Sequence, residues 1–310
     1  MLILGGLLLV GLTLTLRWSG TPYETWPAAG VPDGDGEAAR DGASLRSVTL
    51  RYLRGVAIAL VGGFWAGALV TGPAVRLIMR LLAATAGDGA QGLTTEAEEV
   101  VGDIDLGGTI GLYLFGGILP GLLSGAIYVV FRRWLPPGRL GGVAFGVLHL
   151  VVAATRLDPL RPDNPDFDIV GPGWLSVATF ALTAILHGMA VVAIANRYST
   201  RFPPRAAGRA ERVRSVAPLV LPGLMLVPGA FLVMLLAVGL VVTLAASQIA
   251  PLTRAVRSRA FVIGGRVVVT AVAVALLPGT MTDLRHVIVR DPPAVSSPSS
   301  SSSGSAPGHR

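Results

Sequence analysis

The sequence predicts an all-α, polytopic transmembrane bundle of about seven spans with glycine-rich helix packing. Two observations indicate this class. Of the 310 residues, 52% are hydrophobic and only 14% are charged, with a mean hydropathy of +0.66, whereas soluble domains carry about 25% charged residues. Several uninterrupted apolar runs reach the roughly 17–25 residues that a helix needs to cross a bilayer. A soluble fold could not bury so much apolar surface.

Composition also excludes several kinds of chemistry. All 25 basic residues are arginine and there is no cysteine, which excludes a lysine Schiff base, a Walker lysine, disulfides and cysteine-based metal sites. The formal charge of +7 would suggest nucleic acid for a soluble protein. Because the arginines lie beside apolar runs, we expect the lipid bilayer and its anionic lipids as partners, with no nucleic acid and no cofactor.

The chain divides into four parts. Residues 1–16 form an N-terminal transmembrane anchor, because no positive charge precedes the run and Arg17 follows it. Residues 17–54 read as a cytoplasmic linker, residues 55–278 as a polytopic membrane domain, and residues 279–310 as a disordered Ser/Pro-rich tail. The membrane spans are predicted at residues 55–72, 108–131, 140–155, 174–195, 217–246 and 261–277.

Arginine placement predicts the threading. Connectors 17–54, 132–139 and 196–216 carry fourteen arginines together, whereas connectors 73–107 and 156–171 carry four arginines and ten carboxylates. The positive-inside rule therefore places the first group in the cytoplasm and the two acidic connectors outside a plasma membrane.

The run 217–246 leaves two alternatives. As one helix it would be about 45 Å long, and a single tilted span makes seven spans but places Arg254, Arg257 and Arg259 outside. A re-entrant hairpin keeps these arginines inside and sends the tail outside. We expect the single span.

Glycine spacing predicts close helix packing. Small residues every fourth position let helix backbones approach closely in lipid, and they also offer a face for a homo-oligomer. The glycines with this spacing are Gly63, Gly67, Gly117, Gly121, Gly125, Gly142 and Gly146.

His149 and His187 are candidates for ligand or proton binding, because ionisable residues inside a span are functional by default. Counting along the helices places His149 about 9 Å and His187 about 20 Å below the outer end. We therefore expect them at different depths, unable to share a metal ion. The alternative interpretation is that each makes an interhelical hydrogen bond.

The acidic connectors supply a candidate extracytoplasmic site. Hard divalent cations are bound by several oxygen ligands at 2.3–2.6 Å, but ion pairing with the arginines at positions 76, 80, 156 and 161 is the expected alternative. The candidate carboxylates are Asp163, Asp166, Asp168, Glu98, Glu99 and Asp103.

Two further patterns suggest activities. The stretch Gly121-Leu-Leu-Ser124-Gly125-Ala126 is similar to the Gly-x-Ser-Gly motif of rhomboid intramembrane proteases, with its leading glycine one position earlier; the resemblance implies a serine nucleophile, which we expect near the depth of His187. The Leu-Pro-Gly-Leu sequence at Pro120 recurs at Pro222. Paired interruptions of this kind mark midplane sites in inverted-repeat transporters.

The segments 80–109 and 161–168 resemble uncharacterised multi-pass membrane proteins of high-GC actinobacteria, over roughly residues 50–200. The resemblance implies a plasma-membrane location and no activity. The sequence thus predicts a non-enzymatic binding or scaffold protein with an acidic extracytoplasmic face. A small-solute or ion transporter is the alternative, and a serine intramembrane hydrolase is the third possibility.

Overall fold

A computed structural model describes residues 1–24, 45–103, 105–157, 159–201, 213, 216–225 and 230–290. Regular structure in these residues is helical, and their β pairing is limited to an isolated bridge between Thr94 and Val100. Most of the predicted linker and the chain beyond residue 290 lie outside the described residues.

Every apolar run predicted as a span contains helix. Within the described ranges, five helices are long and apolar enough to cross a membrane: α2 (Leu45–Thr85), α3 (Leu106–Phe131), α5 (Gly173–Ser199), α6 (Ala230–Ser247) and α7 (Arg259–Val289). Two apolar helices are shorter, α1 (Leu2–Trp18) and α4 (Arg139–Ala154). Five of the described helices are therefore candidate membrane spans, and the predicted count of seven stays a prediction.

Two predicted boundaries are wrong. Helix α2 begins at Leu45, inside the predicted linker, and extends without a break to Thr85, through the first part of the predicted outer connector 73–107. Helix α7 continues to Val289, so residues 279–289 are not part of a tail. Pro278 lies inside α7, where burial of Leu284 and Val287 keeps the chain helical beyond a residue that often ends helices.

The helices connect two faces of the bundle. On one, which we call the arginine-rich face, α2 begins beside the end of α5, and Arg54 donates to the carbonyl of Ser199 at 2.9 Å. On the other, the acidic face formed by residues 86–103, 105, 155–157 and 159–172, Thr85 at the end of α2 donates to the carbonyl of Gly171 at 2.6 Å.

Helix α7 runs from the arginine-rich face to the acidic face. Near its start the Phe261 ring lies 5.8 Å from that of Trp134, which follows α3. Just beyond its end, Arg290 pairs with Asp168 at 3.5 Å. Residues 250–257 therefore lie at the arginine-rich face, as in the hairpin alternative, and the single-span threading, which puts Arg254 on the opposite face, is wrong.

Residues 217–246 form separate elements rather than one long helix. The helix Val220–Leu224 comes first, and α6 begins at Ala230. Leu232 packs in the apolar cluster around Leu60 and Phe64, whereas Leu236 accepts a 2.6 Å hydrogen bond from Tyr52, nearer the start of α2. Helix α6 therefore runs antiparallel to α2 and returns toward the arginine-rich face.

The predicted glycine faces meet other helices of the same chain. A Cβ atom added at Gly63 would overlap the backbone of Gly121, and one added at Gly142 would lie 2.9 Å from the Cα of Met189. Contact this close is open only to residues without a Cβ atom. An added Cβ would meet neighbouring backbone at each of Gly63, Gly67, Gly117, Gly121, Gly125, Gly142 and Gly146. A homo-oligomer would therefore need a different surface.

Candidate functional site

The two intramembrane histidines are neighbours. The ring centroids of His149 and His187 lie 5.6 Å apart with the rings nearly perpendicular. The prediction that they lie at different depths is therefore wrong.

The error comes from the loop between α4 and α5. Helix α4 ends at Ala154, five residues after His149, whereas His187 lies fourteen residues into α5. At 1.5 Å per residue, α5 therefore begins about 13 Å further out than α4 ends. The loop fills the space above α4, and its Leu160 is fully buried. The sequence count assumed that both helices reach the same level.

His149 forms a defined pair with Ser124. Its Nδ1 lies 2.8 Å from the carbonyl oxygen of Phe145, and its Nε2 lies 2.9 Å from Ser124 Oγ. A carbonyl only accepts hydrogen bonds, so Nδ1 carries the proton, and Nε2 of the neutral ring accepts from the serine hydroxyl. Ser124 therefore contacts His149, and not His187, the histidine expected from the sequence to lie at its depth.

His187 is held from the opposite side by α2. Its Nδ1 lies 2.7 Å from Thr71 Oγ1, and the residue is 6% exposed. Thr71 closes a π-helical turn, Gly67–Thr71, and another π-helical turn, Leu150–Ala154, begins directly after His149. Such turns re-aim side chains and are frequent at functional sites. The four polar side chains thus form a partly buried cluster that joins α2, α3, α4 and α5, with Ser124 and His187 buried.

A cleft of about 720 Å³ opens beside this cluster, between α3, α4 and α7. The imidazole of His149 lies in its wall, but Ser124 does not line it. Trp134 lies at the end nearest the arginine-rich face. The full lining is Ile127, Phe131, Trp134, Phe145, Leu148, His149, Val152, Ala153, Phe261, Gly264, Gly265, Val268, Val269 and Val272.

Three of the described acidic-loop carboxylates pair with arginines, one of them Glu96 with Arg161. Asp163 lies 3.5 Å from Arg161, and Asp168 lies 3.5 Å from Arg290. All four side chains are partly exposed, so each pair contributes at most about 1 kcal/mol.

The other candidate carboxylates lie on both acidic loops. Asp166 accepts the backbone N–H of Glu96 at 2.7 Å, and burial raises the pKa of its carboxyl above the ordinary value. Glu98, Glu99 and Asp103 lie on the loop before α3, where Glu98 has a positive φ of 60°. Among the described residues, no group of three or more histidine or acidic side chains is arranged to hold a metal ion.

The two proline interruptions lie apart from the cleft and from a second cavity. Pro120 lies in α3 and Pro222 in the short helix before α6, and neither lines the cleft or the second cavity, which opens at the acidic face. That second cavity does not reach His149 or His187 either.

Sequence reasoning missed Thr71, Trp134 and Gly265. The prolines at 73 and 120 each follow a π-helical turn within two residues, and a proline inside an apolar run is the signal for such irregular turns. No proline lies within two residues after the π-helical turn of α4.

No protein-family model matches this chain, and neither the curated proteins nor the solved structures include a significant match.

Proposed function

We propose that this is an integral plasma-membrane protein that binds an anionic lipid in the cleft between α3, α4 and α7, with its arginine-rich face in the cytoplasm, and acts without catalysis. The observation that carries the proposal is the cleft. Its volume of about 720 Å³ falls within the roughly 300–1,000 Å³ of ligand sites. Apart from His149 and Trp134, its lining consists of apolar side chains and glycines.

The length of the cleft suits one lipid chain. Its α7 wall runs from Phe261 to Val272, about 17 Å at 1.5 Å per residue. This is roughly half of the 30 Å hydrocarbon core, the depth of a single leaflet. At Gly264 an added Cβ atom would meet nothing within 4 Å, whereas at Gly265 it would overlap the indole of Trp134, so Gly265 lets α7 pack against that side chain.

The mouth of the cleft suits an anionic headgroup. Arg133 and Arg259 lie within two residues of the lining aromatics Trp134 and Phe261, and guanidinium groups bind phosphate through two parallel hydrogen bonds. The indole of Trp134 lines this end of the cleft, with its buried Nε1 packed against Gly265 of α7.

The test compares two valines on α7. Val268 lines the cleft and Val267 does not, yet both are 61% exposed. Phosphatidylglycerol added to the detergent-purified protein should raise its stability against unfolding by the free energy of binding. Val268→Trp should lose this increase, because the indole fills the cleft, and Val267→Trp should keep it.

Two outcomes would contradict the proposal. If Val268→Trp and Val267→Trp respond alike, the lipid does not occupy the cleft. If phosphatidylcholine stabilises the wild type as strongly as phosphatidylglycerol, the assignment of an anionic headgroup is wrong.

A second candidate, the serine intramembrane hydrolase, is favoured by the Ser124–His149 hydrogen bond, in which the neutral Nε2 is placed to accept the serine proton. Accessibility counts against it. Ser124 is 2% exposed and lies behind the imidazole that lines the cleft. A lipid with its headgroup at the arginine-rich mouth would also bring its chain, not its ester groups, beside His149.

A further inference from the structure

A second cavity, of about 500 Å³, opens at the acidic face between α2, α3 and the two acidic loops. Arg76 lines it and is only 8% exposed. Its guanidinium makes no hydrogen bond, and no carboxylate lies within 4.0 Å of it, among the residues that the structure describes. Arg76 therefore offers the cavity a guanidinium that can pair with an anionic group of a ligand.

The neighbouring charged groups are engaged elsewhere. The N–H of Gly108, which the Asp105 carboxylate accepts at 2.7 Å in capping α3, lowers the pKa of that carboxyl most, and Arg76 lowers it less. Arg80, one helical turn along α2, donates to the backbone carbonyls of Gly102 and Asp103. Arg76 is thus the lining arginine left to meet a ligand.

The remaining walls define what else the ligand carries. Four carboxylates line the cavity; one, Glu96, is paired with Arg161, and the other three would repel a multiply charged anion such as phosphate. They favour instead a ligand that adds a positive group to a single negative one. Apolar side chains, among them Leu112, Phe115 and Phe180, offer contact for an apolar group. The lining carboxylates belong to Glu96, Glu99, Asp103 and Asp166.

We infer that this cavity binds a small zwitterion, a free amino acid with an apolar side chain, whose carboxylate pairs with Arg76 and whose ammonium group faces the acidic loops. The fork of the guanidinium matches a carboxylate through two parallel hydrogen bonds. The ligand reaches the site from the acidic face, and the site is separate from the lipid cleft.

The experiment measures thermal unfolding of the detergent-purified protein with three probes of one shape at millimolar concentration. L-leucine carries both charges, 4-methylpentanoate only the carboxylate, and 3-methylbutylamine only the ammonium group. We expect leucine to stabilise the wild type, the carboxylate to bind at least about tenfold more weakly, and the amine to have no effect. Failure of leucine to stabilise the protein overturns the inference, and equal binding of the carboxylate overturns the zwitterion assignment.

Arg76→Gln tests whether Arg76 binds the ligand. Arg139→Gln, at an exposed position on the opposite face, is the control. Arg76→Gln should bind leucine roughly 10- to 100-fold more weakly, since a charge-assisted pair is lost, and Arg139→Gln should bind as the wild type does. Without ligand, Arg76→Gln should be at least as stable as the wild type, because it removes an unpaired buried charge. A marked loss of stability without ligand would show that Arg76 has a structural partner and would overturn the inference. Stabilisation by phosphatidylethanolamine but not by leucine would overturn it as well, by assigning the site to a lipid headgroup.

Discussion

Substituting Gly121 tests the contact between α2 and α3. A Cβ atom added there would overlap the carbonyl oxygen of Gly63 and lie 3.1 Å from the Cα of Gly67. Both neighbours are backbone atoms that cannot rotate away, so the helices must move apart. Overpacking of this kind costs about 1–3 kcal/mol, whereas alanine in place of an unconstrained helical glycine gains about 0.5–1 kcal/mol.

Gly111 provides the control on the same helix, because an added Cβ atom meets nothing within 4 Å there. Gly121→Ala should therefore unfold with a free energy about 1–3 kcal/mol lower than Gly111→Ala, because the propensity gain is common to both sites and only Gly121 is overpacked. The assay is titration of mixed micelles with dodecyl sulfate, followed by circular dichroism. Equal unfolding free energies for the two variants would refute the close approach of α2 and α3.

Three further predictions address threading, pH dependence and reactivity. Cysteines in Ala97→Cys and Val289→Cys should react with an impermeant thiol reagent in intact cells, while Leu252→Cys should not; the reverse pattern would invert the proposed orientation. Asp166→Asn should flatten the pH dependence of stability. The raised pKa makes the folded state bind the proton more tightly, so this stabilisation is present below about pH 3.9 and is lost as pH rises through the folded pKa; parallel pH profiles for variant and wild type would argue against burial of this carboxyl. A fluorophosphonate probe should leave Ser124 unlabelled, and labelling that disappears in Ser124→Ala would establish a reactive serine.

The sequence predicted the helices well, because hydropathy alone determines which segments enter lipid. It placed their ends less well. Pro278 and Gly279 resemble a helix terminator, but the buried contacts of Leu284 and Val287 extend α7 to Val289. Such contacts depend on which segments meet in the fold, and a local pattern does not contain that information.

The depth of a residue in the bundle was equally hard to predict from the sequence. The helical count separated His149 from His187 because it could not represent a loop that folds inward and buries Leu160. The same error in depth placed Ser124 near His187 instead of His149. Residue type was enough to single out Ser124, His149 and His187. Their hydrogen-bond partners depend on the levels at which α4 ends and α5 begins, which residue type does not give.

Hydrogen bonds explain how several of the candidate polar groups are accommodated inside the bundle. A polar group in lipid needs a partner, because no water is present to supply one. Ser124 bonds to His149, and Thr71, which the sequence did not mark, bonds to His187, so these side chains join neighbouring helices. Trp134 and Arg76 each line one of the two cavities, and the proposed ligand sites are centred on these residues rather than on the histidine pair.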